Sequence, residues 1–303
     1  SLFSFIRNES EKKYIPNLQE FCSDVKVFMK RPPWSLWSLG LSGVTVYPLV
    51  VCMYLKQSLR KEIKEAIDRE NFDLIHAETF YVMPNIPQGK VPTILVEQTI
   101  EYLVYQHFTQ SVKFTPLKML MNFDVGKINF WEKRFWQKAT KVVAMSDSDR
   151  LSMQRLVPNL QVDLVPNGVD TQYFKRKEQV VSSQNPIILF VGNFKWLQNR
   201  EAVSILVKKI WPLVVKEVSN AKLWIVGKFP TSEIKNFSSA SIKVSDDIDD
   251  IKDAYVQSDL LIAPIYGPGG TRYKILEAMA TGLHVITTST GVEGLDITHG
   301  KQA

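Results

Sequence analysis

The second half of the chain alternates short apolar runs with longer segments of helical periodicity. From Val203 to Val218, apolar residues recur every three or four positions, which is the spacing of one helix face. Further helices are predicted at Asp249–Gln257 and Arg272–Thr281. Strands that alternate with helices predict a parallel sheet covered on both faces. The predicted strands are Ile187–Val191, Leu223–Val226, Ile242–Val244, Leu260–Ala263 and His284–Thr287.

The first half repeats this alternation less regularly. Helices are predicted at Glu9–Phe21, Leu55–Arg69 and Lys118–Gln137. The turn residues Pro166-Asn167-Gly168 separate the two halves. We therefore predict two α/β domains, residues 1–165 and 166–303. The strands predicted in the first half are Leu2–Phe5, Val25–Phe28, Leu74–Ile75, Thr93–Val96 and Val142–Ala144.

Both ends of the sequence fall inside this alternating pattern. The chain opens in a strand-like run, and neither a helix nor a strand is predicted after His284–Thr287. We therefore expect a first strand of the N-terminal domain and closing helices of the C-terminal domain to lie outside the sequence. Because ligands of open parallel sheets bind at the carboxyl ends of strands, a missing strand would remove part of a site.

Charge and cysteine content exclude several classes of protein. Lys and Arg total 37 against 31 Asp and Glu, and the excess is spread over both halves. A nucleic-acid-binding protein would cluster its positive charge, so that class is excluded, whereas an anionic substrate or lipid surface is compatible. Cys22 and Cys52 form no CxxC motif and have no nearby His cluster. This excludes a disulfide scaffold and structural zinc, and it indicates a reducing compartment.

The longest uncharged stretch, Pro32–Leu55, is long enough to cross a bilayer. Its prolines, glycines and serines instead favour a loop that leads into an amphipathic helix. Trp34 and Trp37 lie near Lys30 and Arg31, a combination that suits a membrane interface. A hydrophobic flap packed on its own domain is the alternative.

A glycine-rich loop, Gly267–Thr271, joins a predicted buried strand to a predicted helix. Glycines let backbone N–H groups approach a ligand closely, and a helix N-terminus attracts anions. Arg272 and Lys274 lie in the first helical turn, where the helix dipole disfavours cations. An anion such as a diphosphate would explain this placement, and a solvated turn with basic surface residues is the alternative.

Glu277 lies in an otherwise apolar part of the same helix. Its carboxylate could accept hydrogen bonds from two hydroxyls of a sugar or ribose, or it could pair with Lys274 three residues earlier. The spacing leaves both interpretations open.

Several motifs, taken together and in order, resemble glycosyltransferase family 4. In the first half, Phe72–His76 and Trp131–Arg150 are also similar, so the resemblance covers nearly the whole chain. It implies the GT-B fold, in which two Rossmann-like, doubly wound domains face each other across a cleft that holds the active site. It also implies transfer of a sugar, with retention, from a nucleotide-diphosphate-sugar to an acceptor hydroxyl. The motifs of the second half are Val165–Asp170, Phe190–Asn193 with Trp196 and Asn199, Trp224–Gly227, and Gly269–Gly282.

The resemblance assigns Glu277 to the second acid of the family's Glu-x7-Glu motif, which holds the ribose. The position of the first acid is occupied by Gly269, so the chain resembles a subgroup with Gly-Gly-Thr-Arg in place of the acidic loop. Two cations that clamp the diphosphate in many relatives are replaced by Asn193 and Asn199. We therefore expect Arg272 and Lys274 to bind the diphosphate. The remaining donor-binding candidates are Gly192, Asn193, Lys195, Gly269, Gly270 and Thr271.

In the acceptor half, His76 follows a predicted strand. Many relatives have His-x-His here, and the second His is replaced by Glu78. We expect His76 and Glu78 to act with Arg272 and Lys274 as catalytic residues. For His76 a structural role is the alternative, and Glu97 and Glu101 after the next strand are rival acceptor contacts.

The run Asp246–Asp250 contains an Asp-x-Asp, which binds a divalent metal in another glycosyltransferase fold. We interpret it as a solvated turn in which Asp249 starts the next helix, and we expect no metal and no cofactor. The expected partners are a nucleotide-sugar donor and a glycan or lipid-linked acceptor, in the cytoplasm or on the inner face of a membrane. A GT-B epimerase and a non-catalytic nucleotide- or membrane-binding subunit are the alternatives.

Overall fold

The computed structural model describes residues 1–32, 35–176, 184–246 and 248–301. The chain divides into two units. The first comprises Ser1–Met145 and Asp149–Val165, and the second comprises Ser146–Ser148 and Pro166–Ala303.

In the first unit, β1 pairs in parallel with β2, and Leu2 lies opposite Val25. A separate parallel sheet has the strand order β3-β4-β5-β6. Most of these strands bury apolar residues, which is typical of parallel strands packed between helices. The bounds are Leu2–Ile6 (β1), Val25–Met29 (β2), Ile75–Glu78 (β3), Thr93–Glu97 (β4), Lys141–Ala144 (β5) and Val162–Leu164 (β6).

Helices connect these strands along the chain before Val165. Two turns of 3₁₀ helix, Glu9–Tyr14 and Phe80–Asn85, accompany them. The predicted helix Glu9–Phe21 is thus a 3₁₀ turn followed by a short α-helix, and α5, α7 and β6 had no counterpart in the sequence analysis. The bounds are Ile15–Gln19 (α1), Leu36–Val44 (α2), Leu49–Tyr54 (α3), Gln57–Arg69 (α4), Glu101–Ser111 (α5), Thr115–Lys138 (α6) and Asp147–Leu156 (α7).

The interpretation of Pro32–Leu55 as a loop leading into a single helix is wrong, because α2 and α3 occupy most of it. Ser35 caps α2 by accepting a hydrogen bond from the Ser38 N–H. Asp124 of α6 accepts from the Leu49 N–H at 2.9 Å and so caps α3. These contacts fold a glycine- and serine-rich segment that has weak helix propensity of its own. Within the described residues, every helix is too short or too polar to cross a membrane.

A buried carboxylate fixes the packing of α5 on α6. Glu132 of α6 is inaccessible to solvent and accepts hydrogen bonds from the N–H groups of Glu101 at 2.7 Å and Tyr102 at 3.2 Å. These are first-turn donors of α5 that have no partner within their own helix. Next to it, Glu97 accepts from the Trp136 indole at 3.0 Å. The apolar core around them includes Phe80, Leu95, Ile128, Trp136 and Met153.

The second unit contains one parallel sheet with the order β11-β10-β7-β8-β9 among its described residues. Its first strand, β7, is central, so the chain builds outward on one side and then on the other, as in doubly wound folds. All five strand predictions of this half are confirmed. The bounds are Ile187–Val191 (β7), Lys222–Val226 (β8), Ile242–Ser245 (β9), Leu260–Ala263 (β10) and His284–Thr287 (β11).

Helices cover both faces of this sheet. Consecutive residues of β7, Leu189 and Phe190, are fully buried in different apolar clusters, which explains why the strand is a continuous apolar run. A π-helical turn, Leu206–Ile210, joins the first two helices. The bounds are Leu197–Ile205 (α8), Trp211–Glu217 (α9), Ser232–Lys235 (α10), Ile251–Gln257 (α11) and Tyr273–Ala280 (α12).

The ends of β7 and β8 come unusually close together. Gly227 has a φ of +155°, and a Cβ on it would lie 1.6 Å from the carbonyl oxygen of Gly192. The Gly192 N–H also donates to the Val226 carbonyl at 2.9 Å. Position 227 therefore requires glycine for both its conformation and its space.

We predict that Gly227→Ala lowers the free energy of unfolding by about 2–4 kcal/mol, because the methyl group must displace backbone and the residue keeps a strained φ. Gly168→Ala is the matched control in the same unit, since nothing lies within 4 Å of a Cβ there. We expect the control to stay within about 0.5 kcal/mol of the parent. Urea denaturation measures both, and equal stabilities of the two variants would contradict the close approach.

Candidate active site

The glycine-rich loop between β10 and α12 is wrapped around a guanidinium group. Arg272 donates to the carbonyls of Gly267 at 2.9 Å and Gly270 at 3.0 Å. Gly269 has a φ of +138°, and a Cβ there would lie 2.8 Å from Arg272 Nη1. Arg272 is the N-cap residue of α12 rather than part of its first turn. The loop thus holds a fixed positive charge at the start of α12.

Lys274 lies in the first turn of α12 and contacts one residue of β7 and one residue that follows it. Its ammonium donates to Asn199 Oδ1 at 2.8 Å and lies 4.8 Å from the centre of the Phe190 ring. The Asn199 amide in turn donates to the Asn193 carbonyl at 2.9 Å. The Asn199 side chain therefore connects Asn193 and Lys274, two residues that are predicted to bind the donor.

The environment of Lys274 disfavours its charge. Burial, and secondarily the Arg272 guanidinium, lower the pKa of Lys274 to about 7 from its ordinary value of 10.5, although Glu277 acts in the opposite direction. A bound anion would stabilise the ammonium and raise this pKa again. The group can therefore change its charge when an anionic ligand binds near neutral pH.

Glu277 is held by a neighbouring helix. The hydroxyl of Tyr255, a fully buried residue of α11, donates to Glu277 Oε2 at 2.5 Å. Lys274 donates to Asn199 instead, so the first hypothesis for Glu277, a contact to ligand hydroxyls, is the one that this geometry favours. Its role in ligand binding stays a prediction.

Other predicted donor-binding residues lie around the same loop. The buried hydroxyl of Thr271 has no hydrogen-bond partner among the described residues. The Lys195 N–H donates to Asn193 Oδ1 at 3.0 Å, but the Lys195 ammonium lies 3.5 Å from the centre of the Phe229 ring. Lys195, like Lys274, thus lies over an aromatic face, and it lies closer to its ring.

The sequence analysis missed Gln198 as part of this site. Its amide donates to the Pro268 carbonyl at 2.9 Å and so ties the start of α8 to the glycine-rich loop. Asn199 had been considered only as a replaced cation. The sequence does contain a signal for this contact, since two adjacent amide residues, Gln198 and Asn199, follow Gly192 closely.

In the first unit, His76 and Glu78 form a pair at the end of β3. His76 Nε2 lies 2.9 Å from Glu78 Oε1, and the Gln98 amide donates to Glu78 Oε2 at 3.0 Å. Both members of the pair are exposed. Their catalytic role stays a prediction.

The rival acceptor contacts, Glu97 and Glu101, are in a different environment. Burial and the nearby Glu132 raise the pKa of Glu97 well above its usual value, and burial raises the pKa of Glu101 to about 7. Glu97 is nearly inaccessible to solvent. Glu78 is exposed, Glu101 is half-buried, and the choice among these acceptor contacts stays a prediction.

The acidic run after β9 serves local structure. Asp250, not Asp249 as predicted, caps α11 by accepting from the Lys252 N–H at 3.0 Å. Bonds from Tyr173 and Lys252 hold the pKa of Asp250 at about 2. Asp246 pairs with Lys235 at 2.9 Å, and Asp247 lies outside the described residues. Across the described ranges, no three His, Cys, Asp or Glu side chains are grouped so that they could hold a metal ion.

Two family models match this chain. Residues 23–173 match Glycosyltransferase Family 4, and residues 185–303 match Glycosyl transferases group 1. Together they leave only residues 1–22 and 174–184 unmatched. The chain belongs to the group 1/family 4 glycosyltransferases. The Gly-Gly-Thr-Arg subgroup stays a prediction.

The chain is also similar to several known proteins. An uncharacterized 44.6 kDa protein in the cps region of Klebsiella pneumoniae is 29% identical over 97% of this chain and 74% of its own length. The crystal structure of Anabaena HepE in complex with UDP and glucose has a TM-score of 0.61 and 17% identity, covering 95% of this chain and 73% of HepE. WaaG, a glycosyltransferase involved in lipopolysaccharide biosynthesis, has a TM-score of 0.61 and 14% identity over 97% and 82%. The prediction of an α/β, GT-B-like fold with parallel sheets is confirmed.

The depressed pKa of Lys274 gives a pH-dependent prediction. Between pH 7 and 10.5 the unfolded chain holds more protons at Lys274 than the folded chain, so this group makes stability rise with pH in that window. Lys274→Met removes the rise. The variant does not bury an ammonium, so its unfolding free energy at pH 7 should exceed that of the parent. We expect this difference to shrink by roughly 1 kcal/mol per pH unit above pH 7.

Urea denaturation of parent and Lys274→Met at several pH values measures this slope. Loss of the hydrogen bond to Asn199 changes the stability of the variant by the same amount at every pH. The slope of stability against pH is therefore the informative quantity. Lys195→Met, in which the exposed neighbouring lysine is removed, controls for the loss of one positive charge. A stability difference that stays constant across the window would show that the Lys274 ammonium is not desolvated.

Proposed function

We propose that this glycosyltransferase moves a sugar from a nucleotide-diphosphate-sugar to an acceptor hydroxyl, with retention, during polysaccharide synthesis. The observation that carries the proposal is the convergence of Arg272, Lys274 and the glycine-rich loop at the start of α12. HepE, with UDP and glucose in its crystal structure, supports this class of donor. The cps-region relative supports a role in capsule polysaccharide. Both cysteines are free, which suits a reducing, cytoplasmic setting.

In the proposed reaction, negative charge develops on the diphosphate as the bond to the sugar breaks. The first-turn N–H groups of α12, the Arg272 guanidinium and the Lys274 ammonium are preorganised to stabilise that charge. Lys274 is only partly charged without a ligand and becomes fully charged when the diphosphate binds. The attraction between its ammonium and the diphosphate then strengthens as the leaving group forms. Such interactions favour the transition state over the ground state and therefore raise the rate.

The other site residues position the two substrates. Glu277, oriented by Tyr255, accepts hydrogen bonds from the ribose hydroxyls, and the buried Thr271 hydroxyl offers a partner for a phosphate oxygen. On the acceptor side, Glu78 orients His76 toward the acceptor. The leaving phosphate deprotonates the acceptor hydroxyl, which is consistent with retention.

Turnover and binding of nucleotide-sugars test the proposal. A thermal-shift panel of UDP-, GDP- and ADP-sugars identifies the donor, since a ligand of the folded state raises the melting temperature. Release of nucleoside diphosphate is then measured with and without alkyl glycoside acceptors. We expect release to depend on an acceptor and to survive EDTA. An altered donor sugar without an acceptor would identify an epimerase, and binding without turnover would identify a non-catalytic subunit.

Substitutions of Glu277 and Arg272 are expected to change different kinetic parameters. Glu277→Gln keeps the bond from Tyr255 but weakens the bonds to ribose, which do not change during reaction. We expect the KM for the donor to rise by roughly 10–100-fold with kcat nearly unchanged. Arg272→Ala removes a donor to developing charge, so kcat should fall by about 10²–10³-fold. Arg272→Lys should rescue little, because one ammonium cannot reproduce a planar fork.

Glu233→Gln is the matched control. Glu233 is an exposed residue of α10 that pairs with Lys208, so the variant should behave like the parent. All variants must melt within a few degrees of the parent. A donor KM unaffected by Glu277→Gln, together with a kcat unaffected by Arg272→Ala, would show that the donor site lies elsewhere.

A further inference from the structure

Phe229 has a backbone conformation that its side chain disfavours. The residue lies just after β8, and its φ is +62°. Glycine adopts such a φ readily, whereas a bulky residue there is an outlier. Pro230 follows, and a residue before proline is further restricted toward extended conformations. Strain of this kind persists where the surrounding structure enforces it, and it clusters at active and ligand-binding sites.

Two contacts between a cation and an aromatic ring are shorter than 4 Å in the described part of the chain. One joins Arg31 to Trp37 at 3.4 Å, and the Arg31 guanidinium also donates to carbonyls at the end of α3, so it serves the packing of the first unit. Trp34 lies outside the described residues, and the membrane contact expected beside it stays a prediction. The other contact joins the Lys195 ammonium to the Phe229 ring at 3.5 Å.

Burial does not explain the strained conformation of Phe229. The residue is 53% exposed and belongs to neither apolar cluster described for the second unit. Its ring therefore gains little from the hydrophobic effect. What the conformation does provide is an aromatic face beneath the Lys195 ammonium, a favourable interaction for a cation.

Backbone hydrogen bonds bring Lys195 and Phe229 opposite each other. The pairing of β7 with β8 continues beyond both strands, where the Phe194 N–H donates to the Lys228 carbonyl at 3.0 Å. Lys195 and Phe229 are the next residues along the two segments. The loops after β7 and β8 are thus joined up to the point where the ammonium meets the ring.

Lys195 lies at the candidate donor site. β7 and β10 are neighbours in the sheet, but the chain continues from them toward opposite edges, which creates a crevice between the loops at their carboxyl ends. The Lys195 N–H donates to the Asn193 side chain. Asn199 donates to the Asn193 carbonyl and accepts from Lys274. Both lysines are therefore tied to the same pair of asparagines.

We propose that Phe229 is a positioning residue, whose ring holds the Lys195 ammonium in place for the diphosphate of the nucleotide-sugar. The inference rests on the proposed function and adds Lys195 to the cations that bind the leaving group. A mobile lysine side chain loses conformational entropy when it binds a ligand, and a preorganised one loses less. An aromatic face restrains the ammonium without the neutralising charge of a carboxylate, so its charge stays available to the diphosphate.

Alanine and glycine at position 229 separate the strain from the loss of the ring. Both variants lack the ring, but only glycine adopts a φ of +62° without strain. Alanine is normally the more stabilising of the two, because glycine loses more conformational freedom on folding. We expect the opposite order here, with Phe229→Gly melting about 2–4 °C above Phe229→Ala. Thermal unfolding followed by circular dichroism measures both.

Calorimetric titration with UDP, GDP and ADP measures the effect on the donor site. The parent is titrated with all three, and the nucleotide with the lowest Kd is used for the variants. We expect Lys195→Met to raise this Kd about tenfold. Phe229→Leu, which keeps an apolar side chain without an aromatic face, should raise it about three- to tenfold, and Phe229→Tyr should bind like the parent.

A double-mutant cycle tests whether the ring acts through the lysine. In the Lys195→Met background, Phe229→Leu should change the Kd by less than about twofold. Phe229→Gly should bind as weakly as Phe229→Leu although it is the less strained protein, which a purely structural role of the ring would not produce. Lys208→Met is the matched control and should keep the Kd of the parent, since Lys208 also faces a ring, that of Phe237 at 5.6 Å, but pairs with Glu233 of α10.

Four results would overturn the inference. Phe229→Ala melting at or above Phe229→Gly would show that position 229 is not strained. A Kd unchanged in Lys195→Met or in Phe229→Leu, while Arg272→Ala still lowers kcat, would refute this pair and leave the proposed function standing. A loss in Phe229→Leu that persists without Lys195 would show that the ring contacts the nucleotide itself. A parent that binds none of the three nucleotides would overturn the proposed function together with this inference.

Discussion

The close approach of two strand ends controls the geometry of the second unit. β7 and β8 end near glycines, and the Gly227 backbone passes so close to the Gly192 carbonyl that no side chain fits between them. A Cβ on Gly192 would itself lie 3.0 Å from the Asn199 side chain. Asn199 then joins the end of β7 to Lys274 on α12. The candidate donor site is therefore held by this close backbone contact together with the side-chain bonds of Asn199, which suits a preorganised site.

The sequence predicted the five strands of this unit well because the three central ones, β7, β8 and β10, are buried on both faces. Such strands form continuous apolar runs that differ clearly from their surroundings, and all five were located. The first unit was harder to predict. α2 and α3 depend on Ser35 and on Asp124, which lies some 75 residues away from Leu49 in sequence, and local composition alone favoured a loop. Long-range capping overrode weak local propensity.

For the candidate site, the sequence predicted the residue types but not their partners. Arg272 and Lys274 were identified as cations at a helix start, where the dipole disfavours them. The bond from Lys274 to Asn199 depends on a contact between distant segments, and the bonds of Arg272 to its own loop depend on a loop conformation that residue spacing does not specify. The lowered pKa of Lys274 follows from its burial, so no spacing rule could have indicated it. The start of α11 was predicted one residue too early, because Asp250 and not Asp249 caps the helix.

The length of α6 couples two features that are otherwise unrelated. Its first half presents Phe123 at the surface, and its second half carries Glu132, which holds the first turn of α5. Nine residues of helix separate the two side chains, or about 14 Å along a nearly rigid rod. The helix therefore fixes the distance between the exposed Phe123 and the first turn of α5, which follows β4 in the chain.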